Sequence, residues 1–281
     1  MSFLDTPVSM RRLQWLCVPV GVITAWYLWQ VVRDGRDYRD SFHRPYVEWL
    51  PDLPSPVFTA VIVAGLLAAL GMTVGLWRRV TSKVAFAVVA YHLLLSATNF
   101  HHNRGYLVIV LFVLAVARLD LPEAPGWPLW LLRVECSVVY AASGVSKLVD
   151  PDWLGGTVTW LRVVHQEADV RASVLPAWVV DLVLDRDLHR LFAPGIVATE
   201  LFIAFGVWAR RTRPWALGVA LVFHVLIELT SRVESFSYLA VAVILLIWLP
   251  ERMLPTRSVD RGRARAWRRA PTTPKPAPGA L

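Results

Sequence analysis

Cysteine, lysine and charged residues in general are scarce in this chain of 281 residues. Its two cysteines, Cys17 and Cys136, both lie in apolar stretches, so the sequence predicts neither a disulfide framework nor a metal site. Only 18% of the residues are charged and 56% are hydrophobic. A soluble globular domain has about 25% charged and about 45–50% apolar residues. The composition therefore argues against a soluble globular protein.

The hydrophobic residues are concentrated in long apolar runs. Many of these runs have about 16–20 residues, the length that a helix needs to cross roughly 30 Å of hydrocarbon. The 14 tryptophans agree with this interpretation, because tryptophan collects at membrane–water interfaces. The sequence predicts an all-α, polytopic transmembrane bundle of about eight spans. The expected spans are Leu13–Val32, Val57–Trp77, Val84–Phe100, Gly105–Leu119, Leu129–Ser146, Phe192–Ala209, Pro214–Ser231 and Phe236–Leu249.

The net charge of +8 comes from arginines in short loops and in the C-terminal tail. With eight spans, the main basic groups fall on one side, which the positive-inside rule assigns to the cytoplasm. We therefore expect a multi-pass membrane protein with both termini cytoplasmic. The Arg-rich, Lys-poor usage indicates a GC-rich bacterial genome, so the expected location is a bacterial plasma membrane. Topology explains the positive charge, so the expected partner is the lipid bilayer and not nucleic acid. A transmembrane domain is predicted over residues 1–255, and a disordered, basic, Pro-rich cytoplasmic tail over 256–281.

Lys147 is the first candidate for chemistry. The chain has only three lysines, and Lys147 alone ends an apolar helix, whereas Lys83 lies in a predicted cytoplasmic loop and Lys275 in the tail. Loss of hydration favours the neutral amine, which can act as a base. The alternative is a lysine that extends its ammonium group to the membrane surface from a helix end.

A second group of candidates consists of histidines and intramembrane carboxylates. His101 and His102 lie in a short turn between two spans, where they could carry protons or form a polar interfacial turn. Glu200, His224 and Glu228 lie inside predicted spans. Ionisable groups are costly in lipid and usually face a cavity or a partner helix, so a functional cavity and structural pairing are both open. We see no ligand spacing for a metal.

The segment from Asp150 to Trp153 follows Lys147 directly. Trp153 could anchor the chain at the interface, and Asp150 and Asp152 could orient Lys147 or cap the next helix. The predicted topology places this segment, Lys147 and the two histidines at the same outer face of the membrane, followed by a long outer loop to Leu191. Whether they meet is not decided by the sequence.

Eight short stretches of the chain form a recognisable pattern: Leu132–Glu135, Val139–Tyr140, Gly144–Leu148, Pro151–Gly156, Asn99–Leu107, Thr199–Phe202, Phe223–His224 and Phe236–Tyr238. Together they resemble the HTTM (horizontally transferred transmembrane) domain, which is shared with the vitamin K-dependent gamma-carboxylase. The resemblance covers most of residues 10–250, and its most specific part is the block around Lys147, Asp152 and Trp153.

This resemblance implies a role for Lys147 as the base that deprotonates reduced vitamin K or menaquinone. In the carboxylase the quinol then reacts with oxygen, a peptide glutamate loses a γ-proton, and the carbanion captures carbon dioxide. His101 or His102 would correspond to the assisting histidine of the family, and His224 to its Phe-His position. No metal is implied, and the expected partner is a small peptide or protein substrate.

Two departures from the carboxylase bear on the substrate. Val149 is inserted between Leu148 and Asp150 relative to the carboxylase, and we expect no counterpart of the large luminal part with which the carboxylase holds propeptide-bearing substrates. A clotting-factor-like substrate is therefore not expected. Bacterial members of the family also mature or export small peptides, so a maturation or export factor without redox chemistry is the alternative function. A transporter or lipid-binding bundle without catalysis is a third.

Overall fold

The computed structural model describes residues 3–34, 44–230 and 235–254. The predicted tail over 256–281 lies outside the described residues. Within them the chain forms twelve α-helices and a two-stranded ribbon. The strands are β1 (Pro7–Ser9) and β2 (Glu123–Pro125), and the helices are α1 (Arg11–Arg33), α2 (Ser55–Val74), α3 (Arg78–Leu95), α4 (His102–Val116), α5 (Trp127–Leu148), α6 (Pro151–Leu154), α7 (Thr157–Val164), α8 (Glu167–Arg171), α9 (Ala177–Leu184), α10 (Arg186–Gly206), α11 (Arg213–Thr230) and α12 (Phe236–Trp248).

Each of the eight predicted spans coincides with one of the longer helices, so the all-α prediction is confirmed. Four helices are long and apolar enough to cross a membrane, namely α1, α2, α10 and α11, and α4 and α12 are shorter apolar helices. Helix α5 contains Arg133 and Glu135, which lower its hydropathy. The total of eight spans stays a prediction, as does the cytoplasmic location of the termini.

Helices α1 and α5 begin at the same place because the strands that precede them pair. Val8 lies opposite Ala124 in the antiparallel ribbon of β1 and β2. Met10 N–H donates to the Pro122 carbonyl at 2.9 Å, directly before α1 begins. Both helices therefore start close together, directly after the two paired strands.

Close helix packing in the N-terminal part depends on small residues. Helix α1 packs on α2 and α3, and α3 packs on α4. At Gly21 an added Cβ would lie 2.3 Å from Thr73 Oγ1 and 2.7 Å from the Ala69 carbonyl oxygen. Only glycine fits there, because the backbones of α1 and α2 approach each other at this point. Leu13, Leu16 and Leu28 of α1 are buried in the resulting core.

The C-terminal part is organised by α5 and α10, which pack along each other, while α12 contacts both α1 and α5. Residues 149–185 between α5 and α10, here called the connecting segment, were expected to be a long loop. In the structure this segment is folded into the short helices α6–α9. Val163, Val170 and Val180 form a small hydrophobic cluster inside it. The described residues 249–254 belong to a second unit and contain a 3-10 turn at Glu251–Met253.

Candidate functional site

A cavity of about 1260 Å³ lies where the start of α4, the C-terminal half of α5, α7, α10 and α11 come together. Much of its wall is aromatic or aliphatic, with Phe100, Tyr106, Val139, Phe223 and Phe236 among the lining residues. Polar and ionisable side chains form much of the rest of the wall, among them Lys147, Glu200, Arg162, His101 and His102. Apolar lining combined with convergent polar groups is typical of a small-molecule site.

Lys147 and Glu200 form a buried ion pair on the cavity wall. Lys147 lies in the last turn of α5 and its Nζ donates to Glu200 Oε1 on α10. Lys147 Nζ also donates to Ser143 Oγ at 2.8 Å, and Ser143 Oγ donates to the same Glu200 oxygen at 3.1 Å. The two side chains of the ion pair are only 14% and 6% exposed. Three residues therefore share one small hydrogen-bonded cluster in an apolar environment.

The second oxygen of Glu200 is buried and has no hydrogen-bond partner within the described residues. A buried charged oxygen without a partner is costly. Lys147 and Ser143 therefore both bind the Glu200 carboxylate through its other oxygen.

The approach of α5 to α10 at this cluster depends on Gly144. A Cβ at this position would lie 2.9 Å from Leu201 Cδ2 and 3.0 Å from Leu201 Cγ. Glycine thus lets the two helices come close one residue after Ser143. Without that approach, the short Lys147 to Glu200 contact would require a shift of one helix.

Trp153 lies beside the ion pair, and two cationic side chains contact its ring. Lys147 Nζ lies 4.8 Å from the ring centroid, and the Cζ atom of Arg162 lies 5.1 Å from it. All three side chains line the cavity. Trp153 is positioned by Asp150, whose Oδ1 accepts from the backbone N–H groups of Asp152 and Trp153 at 2.9 and 3.3 Å.

Asp150 and Asp152, the two candidate carboxylates that follow Lys147, have structural roles at the start of α6. Asp150 caps α6, and Asp152 lies in its first turn. Neither belongs to the residues that line the cavity. Of the two roles open for Asp150, the capping role is the one seen in the structure.

His101 and His102 both line the cavity, at the start of α4. His101 is the N-cap of this helix and accepts from the Asn103 N–H through Nδ1 at 3.4 Å. The His102 ring lies 5.9 Å from the Phe100 ring, measured between centroids. No group of three or more metal-ligating side chains is found in the described parts of the chain.

His224 lies one layer behind the cavity wall. Its Nε2 is 2.5 Å from the hydroxyl of Tyr140, and Tyr140 itself lines the cavity. Glu228, one turn further along α11, has a buried Oε1 without a hydrogen-bond partner in the described part of the chain. Neither His224 nor Glu228 is among the lining residues, so they reach the cavity only through neighbours.

Arg133 and Glu135, the other ionisable residues of α5, have different surroundings. Arg133 donates to the carbonyl of Ile247 from Nη2 at 3.0 Å and stacks on Trp130 and Trp248, at 5.2 and 4.8 Å from the ring centroids. Arg133 therefore connects α5 to α12. Glu135 lines the cavity.

Two residues of the site, Ser143 and Arg162, were not predicted from the sequence, and Tyr140 was named only within a stretch that resembles the family. Ser143 precedes Lys147 by four residues, which puts the two side chains on one face of a helix. The spacing of four residues could therefore have predicted the contact between Ser143 and Lys147. Arg162 had no such signal, because α7 was interpreted as part of a loop.

A family model described as the HTTM domain matches residues 8–251. The chain belongs to the HTTM family. The HTTM domain spans all twelve helices, and the resemblance to the membrane domain of the gamma-carboxylase agrees with this membership. Together with the apolar helices, it identifies an integral membrane protein related to the carboxylase family. No curated protein and no solved structure matches the chain.

Proposed function

We propose that this HTTM protein is an oxygen- and quinol-dependent membrane enzyme that acts on peptide glutamate, with Lys147 as the base. The observation that carries the proposal is the position of the Lys147 amine. It lies on the wall of a large, mainly apolar cavity and is held by Ser143 and Glu200. Reduced vitamin K or menaquinone is the proposed cosubstrate.

The hydrogen-bonded cluster explains how a lysine can work as a base here. Only a neutral amine accepts a proton, and Lys147 can become neutral by passing its proton to the adjacent Glu200 carboxylate. Because both side chains are mostly buried, this transfer removes two charges that are costly there, which offsets the lost ion-pair attraction. Ser143 accepts from Lys147 and keeps the amine oriented while the proton moves. Lys147 is then ready to take a proton from a ligand hydroxyl in the cavity.

The lining of the cavity fits a quinol. A reduced naphthoquinone is a flat apolar ring with two hydroxyl groups and an isoprenoid chain, and the wall offers Phe100, Tyr106 and Phe223 for the ring. When bound, the quinol supplies, together with oxygen, the oxidisable group and the strong base that removal of a glutamate γ-proton requires. His101 and His102 lie on the same wall, where we propose that they assist proton transfer. His224 would support Tyr140 from behind.

The test is quinone epoxide formation by the purified full-length protein. Reduced menaquinone or reduced vitamin K is offered in the presence of oxygen, and epoxide is measured by mass spectrometry. We expect epoxide from the wild type and a loss of about 100-fold or more in Lys147→Arg, because arginine does not deprotonate usefully. Lys83→Arg is the matched control, since Lys83 is exposed on α3; it should retain wild-type activity.

Two results would contradict the proposal. One is epoxide formation that survives in Lys147→Arg. The other is the absence of epoxide from folded wild-type protein, both with and without glutamate peptides. The second result would favour a factor for maturation or export of a small secreted peptide, and the search would turn to small peptides encoded nearby.

A further inference from the structure

Arg162 brings a second cation to the wall that holds Lys147. It lies on α7 and lines the cavity. Its guanidinium stacks on the face of Trp153, the ring that Lys147 also contacts. A lysine ammonium and an arginine guanidinium are thus held beside one indole at the same place in the cavity.

The charges at this wall do not balance. Glu200 is occupied by Lys147. The other carboxylate that lines the cavity is Glu135, twelve residues before Lys147 on α5, which is roughly 18 Å along the helix axis. Arg162 is exposed, and within the described residues it has neither an ion pair nor a hydrogen bond. Its guanidinium is therefore free to bind an anionic ligand beside the proposed base.

We propose that Arg162 binds the side-chain carboxylate of the substrate glutamate. This inference rests on the proposed function, because it names the residue that positions the peptide. A guanidinium presents parallel N–H donors that match both oxygens of a carboxylate. The contact with the Trp153 ring holds the guanidinium beside the cavity, so less side-chain freedom is lost on binding. A carboxylate held there would lie in the same cavity as Lys147, with the carbon next to it open to proton removal.

The positive charge also suits the chemistry of that carbon. Loss of a γ-proton would leave a second negative charge beside a carboxylate that is already anionic. A fixed guanidinium at the carboxylate stabilises this developing charge. Arg162 is therefore a substrate-binding residue with an electrostatic role, and Lys147 keeps the role of base.

The test is a binding measurement without quinol, so that it does not depend on turnover. The full-length protein in lipid nanodiscs is dialysed against radiolabelled acetyl-Ala-Glu-Ala-amide. Two comparison peptides separate the sources of a carboxylate. One has Gln in place of Glu and keeps the amide, and the other has Gln and a free C-terminal carboxylate. We expect the Glu peptide to bind about 10- to 100-fold more tightly than either.

The variants locate the binding group. Arg162→Gln should weaken Glu-peptide binding by about 10- to 100-fold and leave the weak binding of the Gln peptides unchanged, while Arg162→Lys should recover part of the loss. Arg186→Gln is the matched control. Arg186 also stacks on a tryptophan, with Cζ 5.2 Å from the Trp160 ring centroid, but it does not line the cavity.

Three outcomes would overturn the assignment of Arg162. They are equal binding of the Glu and Gln peptides by the wild type, unchanged Glu-peptide binding in Arg162→Gln, and preferential binding of the free C-terminal carboxylate. Failure of the proposed function would be seen elsewhere, as a lack of epoxide from the wild type. Peptide binding through Arg162 without epoxide formation would thus support the proposed binding site and contradict the proposed redox chemistry.

Discussion

The molecule contains two buried tyrosine–histidine pairs that are chemically alike. In the N-terminal part, the Tyr27 hydroxyl lies 2.6 Å from His92 Nδ1. In the C-terminal part, the Tyr140 hydroxyl lies 2.5 Å from His224 Nε2. The rings of both pairs meet edge to face, with centroids 5.6 and 5.9 Å apart. All four residues are buried.

The difference between the pairs is access to the cavity. Tyr140 lines it, whereas neither Tyr27 nor His92 is among its lining residues. The first pair joins α1 to α3 inside a tightly packed group of helices, and the second joins α5 to α11 at the cavity wall. A buried polar pair in a membrane bundle is therefore no evidence of a site by itself. The neighbouring open volume and an adjacent reactive group make the second pair a candidate for function.

The largest expected effect comes from breaking the ion pair of Lys147 and Glu200, which lies on the cavity wall. Glu200→Ala leaves the Lys147 ammonium buried without its counter-ion, which should cost about 3–5 kcal/mol in the free energy of unfolding. The double variant Lys147→Ala with Glu200→Ala should lose less than the sum of the single losses, because the two groups are coupled. Unfolding in mixed micelles with increasing SDS measures both.

The control for this prediction is the exposed pair of Arg171 and Glu167, in which Arg171 Nε lies 2.7 Å from Glu167 Oε1. Glu167→Ala should change the free energy of unfolding by well under about 1 kcal/mol, because solvent screens exposed pairs. Additive losses in the Lys147 and Glu200 double variant would show that the buried pair is not coupled.

A second prediction compares two helix contacts made by glycine. At Gly65 an added Cβ would lie 2.5 Å from Val88 Cγ1, and at Gly144 it would lie 2.9 Å from Leu201 Cδ2. Gly65→Ala and Gly144→Ala should each cost about 1–3 kcal/mol, with the larger loss at Gly65 because valine is stiff at χ1. Only Gly144→Ala should also reduce epoxide formation per folded molecule, since it separates Lys147 from Glu200. Equal activity of the two variants would argue against a site at the α5–α10 contact.

The smallest expected effect concerns the hydroxyl groups of the two pairs. Tyr27→Phe and Tyr140→Phe each remove one buried hydrogen bond and should cost about 1 kcal/mol in stability. Epoxide formation should fall only in Tyr140→Phe, because this hydroxyl lies between the cavity and His224. An equal fall in Tyr27→Phe, corrected for the folded fraction, would remove the functional distinction between the pairs.

Much of the fold could be predicted from the sequence because a bilayer restricts the structures that can cross it. Hydrocarbon thickness sets the length of an apolar helix, so runs such as Leu13–Val32 and Pro214–Ser231 could be read directly as helices. The connecting segment could not be read in this way. Its helices α6–α9 have four to eight residues, which is too short to be stable alone, and they form by packing on one another.

The sequence by itself determined the long helices, the membrane character and the residue types available for chemistry. It also distinguished Lys147, as the one lysine at the end of an apolar helix. Only the tertiary structure decided that Lys147 meets Glu200, 53 residues further along the chain, and that Ser143 joins them. It also placed Arg162 on Trp153 and separated the cavity-facing Tyr140 from the enclosed Tyr27. Hydropathy is a property of each segment, whereas these contacts depend on how closely and at what register separate helices pack.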